Sequence, residues 1–165
     1  MISPEALAPF RKPQDPRSED DPRPLPYLWD DRDQREGALD LDLEVLLVTP
    51  GLQEKGLPPH RVALSSTRYM YWTVAQLITH HASNGCPLQP GDLFGSGTIS
   101  APEATGFGSL LETTRGGQHP IRLPSGEERR FLEDSDEIIL RAHTPRAREF
   151  AQIGFGECRG RIRPV

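Results

Sequence analysis

Leucine and valine alternate with acidic residues from Ala38 onward. Leu39, Leu41, Leu43, Val45 and Leu47 fall on one parity, with Asp40, Asp42, Glu44 and Leu46 between them. A period of two predicts a strand with one wet face, and Pro50-Gly51 ends it. After a polar loop, Val62-Ala63-Leu64 and residues 65–71 read as a second extended segment. The period then changes. Thr73 is a natural N-cap, and Gln76, three residues on, completes a capping box. Val74, Leu77, Ile78 and His81 share one face, and Gly85 supplies the stop, so a helix is expected over about 74–83. Everything after Pro87 reads as β, with candidate strands at 93–100, 107–114, 121–123, 129–132, 137–142 and 154–162. Pro124-Ser125-Gly126-Glu127 marks a hairpin turn. One clear helix among short strands predicts a mainly β, α+β body with a small β-roll or sandwich-like arrangement.

The first 35 residues break every period. Pro9, Pro13, Pro16, Pro22, Pro24 and Pro26 each fix φ and remove a backbone donor, which predicts an extended approach segment laid along a surface. At 165 residues the chain is most simply one domain over 1–165. Its 17 prolines and 15 glycines argue for a core smaller than that length allows, or one completed by another chain.

Charge excludes some functions. The net charge of −5 is spread out, and the nearest basic cluster is Arg159, Arg161 and Arg163 on one face of a strand. Nucleic-acid binding needs more clustered cations than that. No signal peptide or membrane span is visible, and Cys86 and Cys158 are too few for a disulfide framework. A cytoplasmic, reducing setting is expected.

Several residues invite chemistry and are better explained otherwise. His80 and His81 are adjacent on a helix, point about 100° apart and cannot grip one metal. His81, on the apolar side, is expected to be a buried, hydrogen-bonded group. Asp134, Asp136 and Glu137 lack the glycine-bearing calcium-loop pattern and read as a solvated turn. Gly95-Ser96-Gly97 and Gly154-Phe155-Gly156 open no helix and read as bulges or close strand packing. Tyr69-Met70-Tyr71-Trp72 reads as core or interface. Thr98 and Glu112 remain. Glu112 closes the apolar pair Leu110-Leu111, where a carboxylate is costly unless solvated or partnered.

A series of blocks resembles the C-terminal portion of the fumarylacetoacetase family of hydrolases. They are Asp21-Pro22-Arg23-Pro24-Leu25-Pro26-Tyr27-Leu28, Tyr69-Met70-Tyr71-Trp72-Thr73, His80-His81, Asn84-Gly85-Cys86 and Leu88-Gln89-Pro90-Gly91-Asp92-Leu93. Ser96-Gly97-Thr98-Ile99-Ser100, Pro102-Glu103, Phe107-Gly108-Ser109, Leu111-Glu112 and Ile153-Gly154-Phe155-Gly156 continue the match in order. Ser135 departs from the family's usual glycine. The resemblance implies a homodimeric, metal-dependent hydrolase using Mg or Ca. It would cleave a carbon–carbon bond of fumarylacetoacetate, a diketo acid, to give fumarate and acetoacetate in tyrosine and phenylalanine catabolism. It implies that Glu112 orients a water-activating His and that Thr98 hydrogen-bonds the substrate. It places that His, the metal ligands and the other substrate-binding groups before the matched portion, so no metal ligand is assigned here. The chain is then expected to correspond to about the last two-fifths of the enzyme and to be inactive alone. The alternative is a non-catalytic β-module that binds a partner or complements a missing N-terminal half.

Overall fold

A computed structural model describes residues 2–164; Met1 and Val165, the ends of the expected 1–165 domain, lie outside them. The chain divides into two compact units, one built from Leu41–Ser66 and residues 98–164, the other from Ile2–Asp40 and Thr67–Gly97.

The first unit is organised by a four-stranded antiparallel sheet. Its strands are β3 (Asp42–Val48), β4 (His60–Ser66), β7 (Glu137–His143) and β8 (Gly154–Arg161), in the order β4-β3-β7-β8. Alternation places Val45 opposite Leu140 and Leu47 opposite Ile138, while Glu44 faces Arg141 on the other parity. A bulge at Val62 shifts the β3–β4 register between Val45 and Leu46. Leu46, Leu47 and Ile139 are buried in the centre of the sheet. The Phe155-Gly156 bulge read from sequence is present: Arg141 pairs with Glu157 and His143 with Gly154, and Gly156 takes φ +79°.

A short helix, α2 (Pro50–Glu54), follows β3 directly, because the proline that stops the strand sits at a helix N1 position. Thr49 caps it, accepting from Leu52 N at 3.2 Å, and Leu52 is fully buried. The same Thr49 hydroxyl donates to Glu127 at 2.5 Å, beside the hairpin of β5 (Ile121–Arg122) and β6 (Glu128–Arg129). Gly51 leaves room for the Glu127 carboxylate, which a Cβ there would meet. Lys55 donates to the Ser125 carbonyl.

Asp136 is not in a solvated turn. It is fully buried and accepts two hydrogen bonds from Arg129, at 2.8 and 3.0 Å. A buried carboxylate needs such a partner, and Arg129 supplies the fork seven residues upstream. Arg159 pairs with Glu137 and Glu157, and Arg161 reaches Gln53, so these arginines are committed to neighbours on the surface.

The second unit holds β1 (Arg11–Lys12) paired with β2 (Ala38–Leu39), α1 (Asp31–Glu36) and α3 (Val74–Ala82). The proline-rich start is extended only in part. It turns through 3-10 helices at Ala8–Phe10 and Pro26–Leu28, each with proline at N1 or N2, and buries Phe10 and Leu28. Asp30 caps α1 by accepting from Asp33 N at 2.8 Å.

Helix α3 carries the expected capping box, with Thr73 and Gln76 exchanging bonds of 3.1 and 3.0 Å. Its buried face differs from the expected one. Gln76 is buried and donates to the Leu28 carbonyl at 2.9 Å, whereas Val74, Ile78 and His81 are exposed. A polar anchor thus replaces an apolar stripe, so His81 is not a core histidine. The aromatic cluster is not core: Tyr71 is exposed and Trp72 half-buried, and the Arg17 guanidinium lies 4.2 Å from the centres of both rings.

Residues 93–100 form no strand. Gly97 takes φ +80°, a conformation outside extended backbone, and Leu93 is 99% exposed. Residues 107–114 form no strand either: a helical turn, α4 (Leu110–Thr113), stands there. The 65–71 segment leaves the sheet at Ser66 and turns through a 3-10 helix, Thr67–Tyr69. The class is therefore α+β, with one four-stranded sheet and two two-stranded ribbons among the described residues and no barrel.

Candidate functional site

Glu112 sits in the first turn of α4 because Ser109 stops the preceding extended chain. Ser109 has φ −146° and ψ 153°, and its hydroxyl accepts from Glu112 N at 3.2 Å. The sequence Ser109-Leu110-Leu111-Glu112 is a capping signature in itself. It turns a pattern that reads as the end of an apolar strand into a helix start, and puts the carboxylate in solvent, where the desolvation cost disappears.

Two hydroxyls hold that carboxylate. Ser100 donates to Glu112 Oε2 at 2.7 Å, and Ser109 donates to the same oxygen at 3.2 Å. Ser100 is itself fixed, its Oγ accepting from Gly108 N at 3.1 Å. The intervening loop closes on its own backbone, with Ala101 N donating to Gly106 O at 2.8 Å and Gly106 N to Glu103 O at 2.9 Å. Gly106 lets this loop lie against β4, since a Cβ there would come 2.8 Å from Leu64 O.

Thr98 joins the same group of residues through Gly108. A Cβ on Gly108 would overlap the Thr98 methyl and come 2.9 Å from Ile99 O. Thr98 is exposed, and its hydroxyl has no hydrogen-bond partner among the described residues. The fold thus brings the two sequence-predicted site residues into one loop pair, and adds Ser100, Gly108 and Ser109 as the residues that place them. An apolar groove of about 310 Å³ runs beside this group, lined by Val45, Phe107, Leu110, Phe131, Ile138 and Leu140.

No histidine bonds to Glu112 among the described residues, whose partners there are the two serines. Nor do the described residues hold a group of three or more His, Cys, Asp or Glu that could bind a metal ion. No described helix is long and apolar enough to cross a membrane.

Comparison with known proteins gives this loop pair a context. Residues 55–163 match the family model described as fumarylacetoacetate (FAA) hydrolase C-terminal. Over the whole chain, identity is 42% to fumarylacetoacetase of Homo sapiens, 38% to that of Dictyostelium discoideum and, over 99% of the chain, 38% to that of Arabidopsis thaliana. The chain spans 36% of the length of each of these relatives. With the family model matched across most of its length, the chain belongs to the fumarylacetoacetate hydrolase family.

Proposed function

We propose that this chain supplies one wall of a fumarylacetoacetase active site. That site hydrolyses a carbon–carbon bond of fumarylacetoacetate to fumarate and acetoacetate, within tyrosine and phenylalanine catabolism. The observation that carries the reading is the carboxylate of Glu112, exposed yet held by Ser100 and Ser109. A carboxylate fixed this way can accept an imidazole N–H and so hold a histidine in the tautomer that takes a proton from water. The water then adds to a carbonyl of the diketo acid, the carbon–carbon bond breaks and the departing carbon takes a proton. Thr98, with its hydroxyl open to solvent, hydrogen-bonds the substrate. The histidine, and the ligands of a Mg or Ca ion, come from residues other than those of this chain. A cytoplasmic homodimer is part of the same reading.

One observation favours a second reading, a non-catalytic β-module that binds a partner. Strand β8 is a sheet edge exposed along its whole length, and such edges recruit further strands.

The test is fumarylacetoacetate hydrolysis by the chain alone and with the preceding segment of a relative supplied in trans. Turnover in the mixture, reduced by about a hundredfold or more in Glu112→Gln, supports the catalytic reading. Turnover by the chain alone overturns the requirement for residues outside it. A stable complex without turnover leaves the binding module as the function.

A further inference from the structure

The reversal after α3 creates a pair of side chains that the hydrolase reading does not use. Ser83 N and Gly85 N bond back to the carbonyls of His80 and Ala82, and Gly85 takes φ +87°. The Asn84 side chain then accepts from Cys86 N at 3.2 Å. This tight turn folds Cys86 back onto the helix it has just left, and brings Cys86 Sγ to 3.3 Å from His81 Nε2. The His81 ring is held from a second side by Phe94, edge-on at 5.3 Å between centroids.

We infer that Cys86 and His81 form a nucleophilic dyad, a site of covalent modification by soft carbon electrophiles of the conjugated 2-enoyl ketone and acid class. The thiolate is the reactive form of cysteine, and a base at the sulfur supplies it. In the reaction, the thiol proton passes to His81 Nε2 as the sulfur adds to the β-carbon of the enoyl group. The carbon–carbon π bond opens to an enolate, and a proton from the imidazolium or water returns to the α-carbon. No oxidant or further reactant is consumed. Cys86 is half-buried, while Cys158, on β8, is exposed and its thiol has no hydrogen-bond partner among the described residues. Exposure alone therefore favours Cys158, and the dyad favours Cys86.

That opposition makes the test internal to one molecule. The chain is treated with a substoichiometric amount of 4-oxo-2-pentenoic acid, and adducts at the two cysteines are quantified by peptide mass spectrometry over time. Cys86 is expected to react about tenfold faster than Cys158. His81→Gln should bring Cys86 to the rate of Cys158 or below, with the Cys158 rate unchanged as the check on folding. His80→Gln, whose neighbouring ring faces Tyr27 instead, should leave the Cys86 rate where it was. Equal or faster labelling of Cys158 in the unaltered chain overturns the inference, and so does a Cys86 rate that His81→Gln does not change.

Discussion

Gly108 and Thr98 lie in such close contact that only a residue without a Cβ fits between the Thr98 methyl and the Ile99 carbonyl. The contact sets where Thr98 stands relative to the Ser100–Glu112 bond, because Gly108 N also donates to Ser100. Gly108→Ala should therefore push the two segments of the loop pair, around Thr98 and Gly108, apart. Overpacking of this kind costs about 1–3 kcal/mol, to be read as a lower urea midpoint with an unchanged slope. In a reconstituted hydrolase the same substitution should lower kcat/KM, as Thr98 and Glu112 lose their common placement. A melting curve that matches the unaltered chain would show that the loop yields without strain.

Ser109 has two tasks, capping α4 and donating to Glu112, and substitutions can separate them. Ser109→Ala removes both and should cost about 1 kcal/mol of stability, the usual worth of an N-cap. Ser109→Asp keeps the cap but sets a second carboxylate beside Glu112. It should retain stability while lowering the turnover of the reconstituted hydrolase. Equal turnover in Ser109→Asp and the unaltered assembly would remove Ser109 from the placement of Glu112.

The stronger local signals in the sequence read correctly, while weaker local caps and signals that depend on distant partners did not. Strands β3, β7 and β8 follow from alternation and from the bulge at Gly156, and α3 follows from the Thr73–Gln76 box, since each signal lies within its own element. The short helices α1, α2 and α4 are set by single caps, at Asp30, Thr49 and Ser109, that compete with stronger strand or turn patterns around them. Asp136 looked solvated because its partner Arg129 is joined to it only by the fold. Val74 and Ile78 looked like core, yet the buried side chain of α3 is Gln76, fixed by a carbonyl 48 residues away. Within the site, Ser109 was legible as a cap. Ser100 was not, because its bond to Glu112 exists only once residues 101–106 fold back.

The Arg129–Asp136 pair should dominate the stability of the first unit. Its side chains are 7% and 0% exposed, and the Asp136 hydrogen bonds raise the Arg129 guanidinium still further above its ordinary value. Asp136→Ala leaves a buried cation with its main partner gone, which costs about 3–5 kcal/mol. The chain is expected to lose its cooperative melting transition or to melt far lower, as followed by circular dichroism. A shift of only a degree or two would mean that Glu127 and Glu133 alone satisfy Arg129.

Glu127 gives the fold an acid limit. Burial pushes its carboxyl up, but the Ser125 and Thr49 hydroxyls and the Arg129 guanidinium outweigh that and hold it at about 2, against an ordinary 4.5. A depressed folded value means that the folded state binds the proton less readily than the unfolded state does. The stabilisation is then fully present above 4.5 and is lost as pH falls from there through 2. With the side chain 26% exposed, solvent screening leaves about 2 kcal/mol at stake. Thermal melts of the unaltered chain should fall steeply between pH 4.5 and 2. Glu127→Gln should start lower at neutral pH and lose less over that window. Parallel pH curves for the two proteins would assign the acid sensitivity to other groups.

Ser135 takes φ +71°, in the left-handed region, at the turn that leads into β7. This is the position where the resemblance to the family implies a glycine. A residue with a Cβ pays about 1–2 kcal/mol there, and replacing it with glycine returns part of that gain through the looser unfolded chain, about 0.4–1 kcal/mol. The Ser135 hydroxyl has no partner among the described residues, and Ser135 N donates to Ile162 O at 3.0 Å, a bond that glycine keeps. Ser135→Gly should therefore stabilise the chain by about 0.5–1 kcal/mol and raise Tm by about 1–4 °C. The turn lies away from Thr98 and Glu112 in sequence and makes no bond to them, so turnover of a reconstituted hydrolase should not change. A lower Tm would mean that the serine hydroxyl contributes a bond in solution worth more than the backbone strain it imposes.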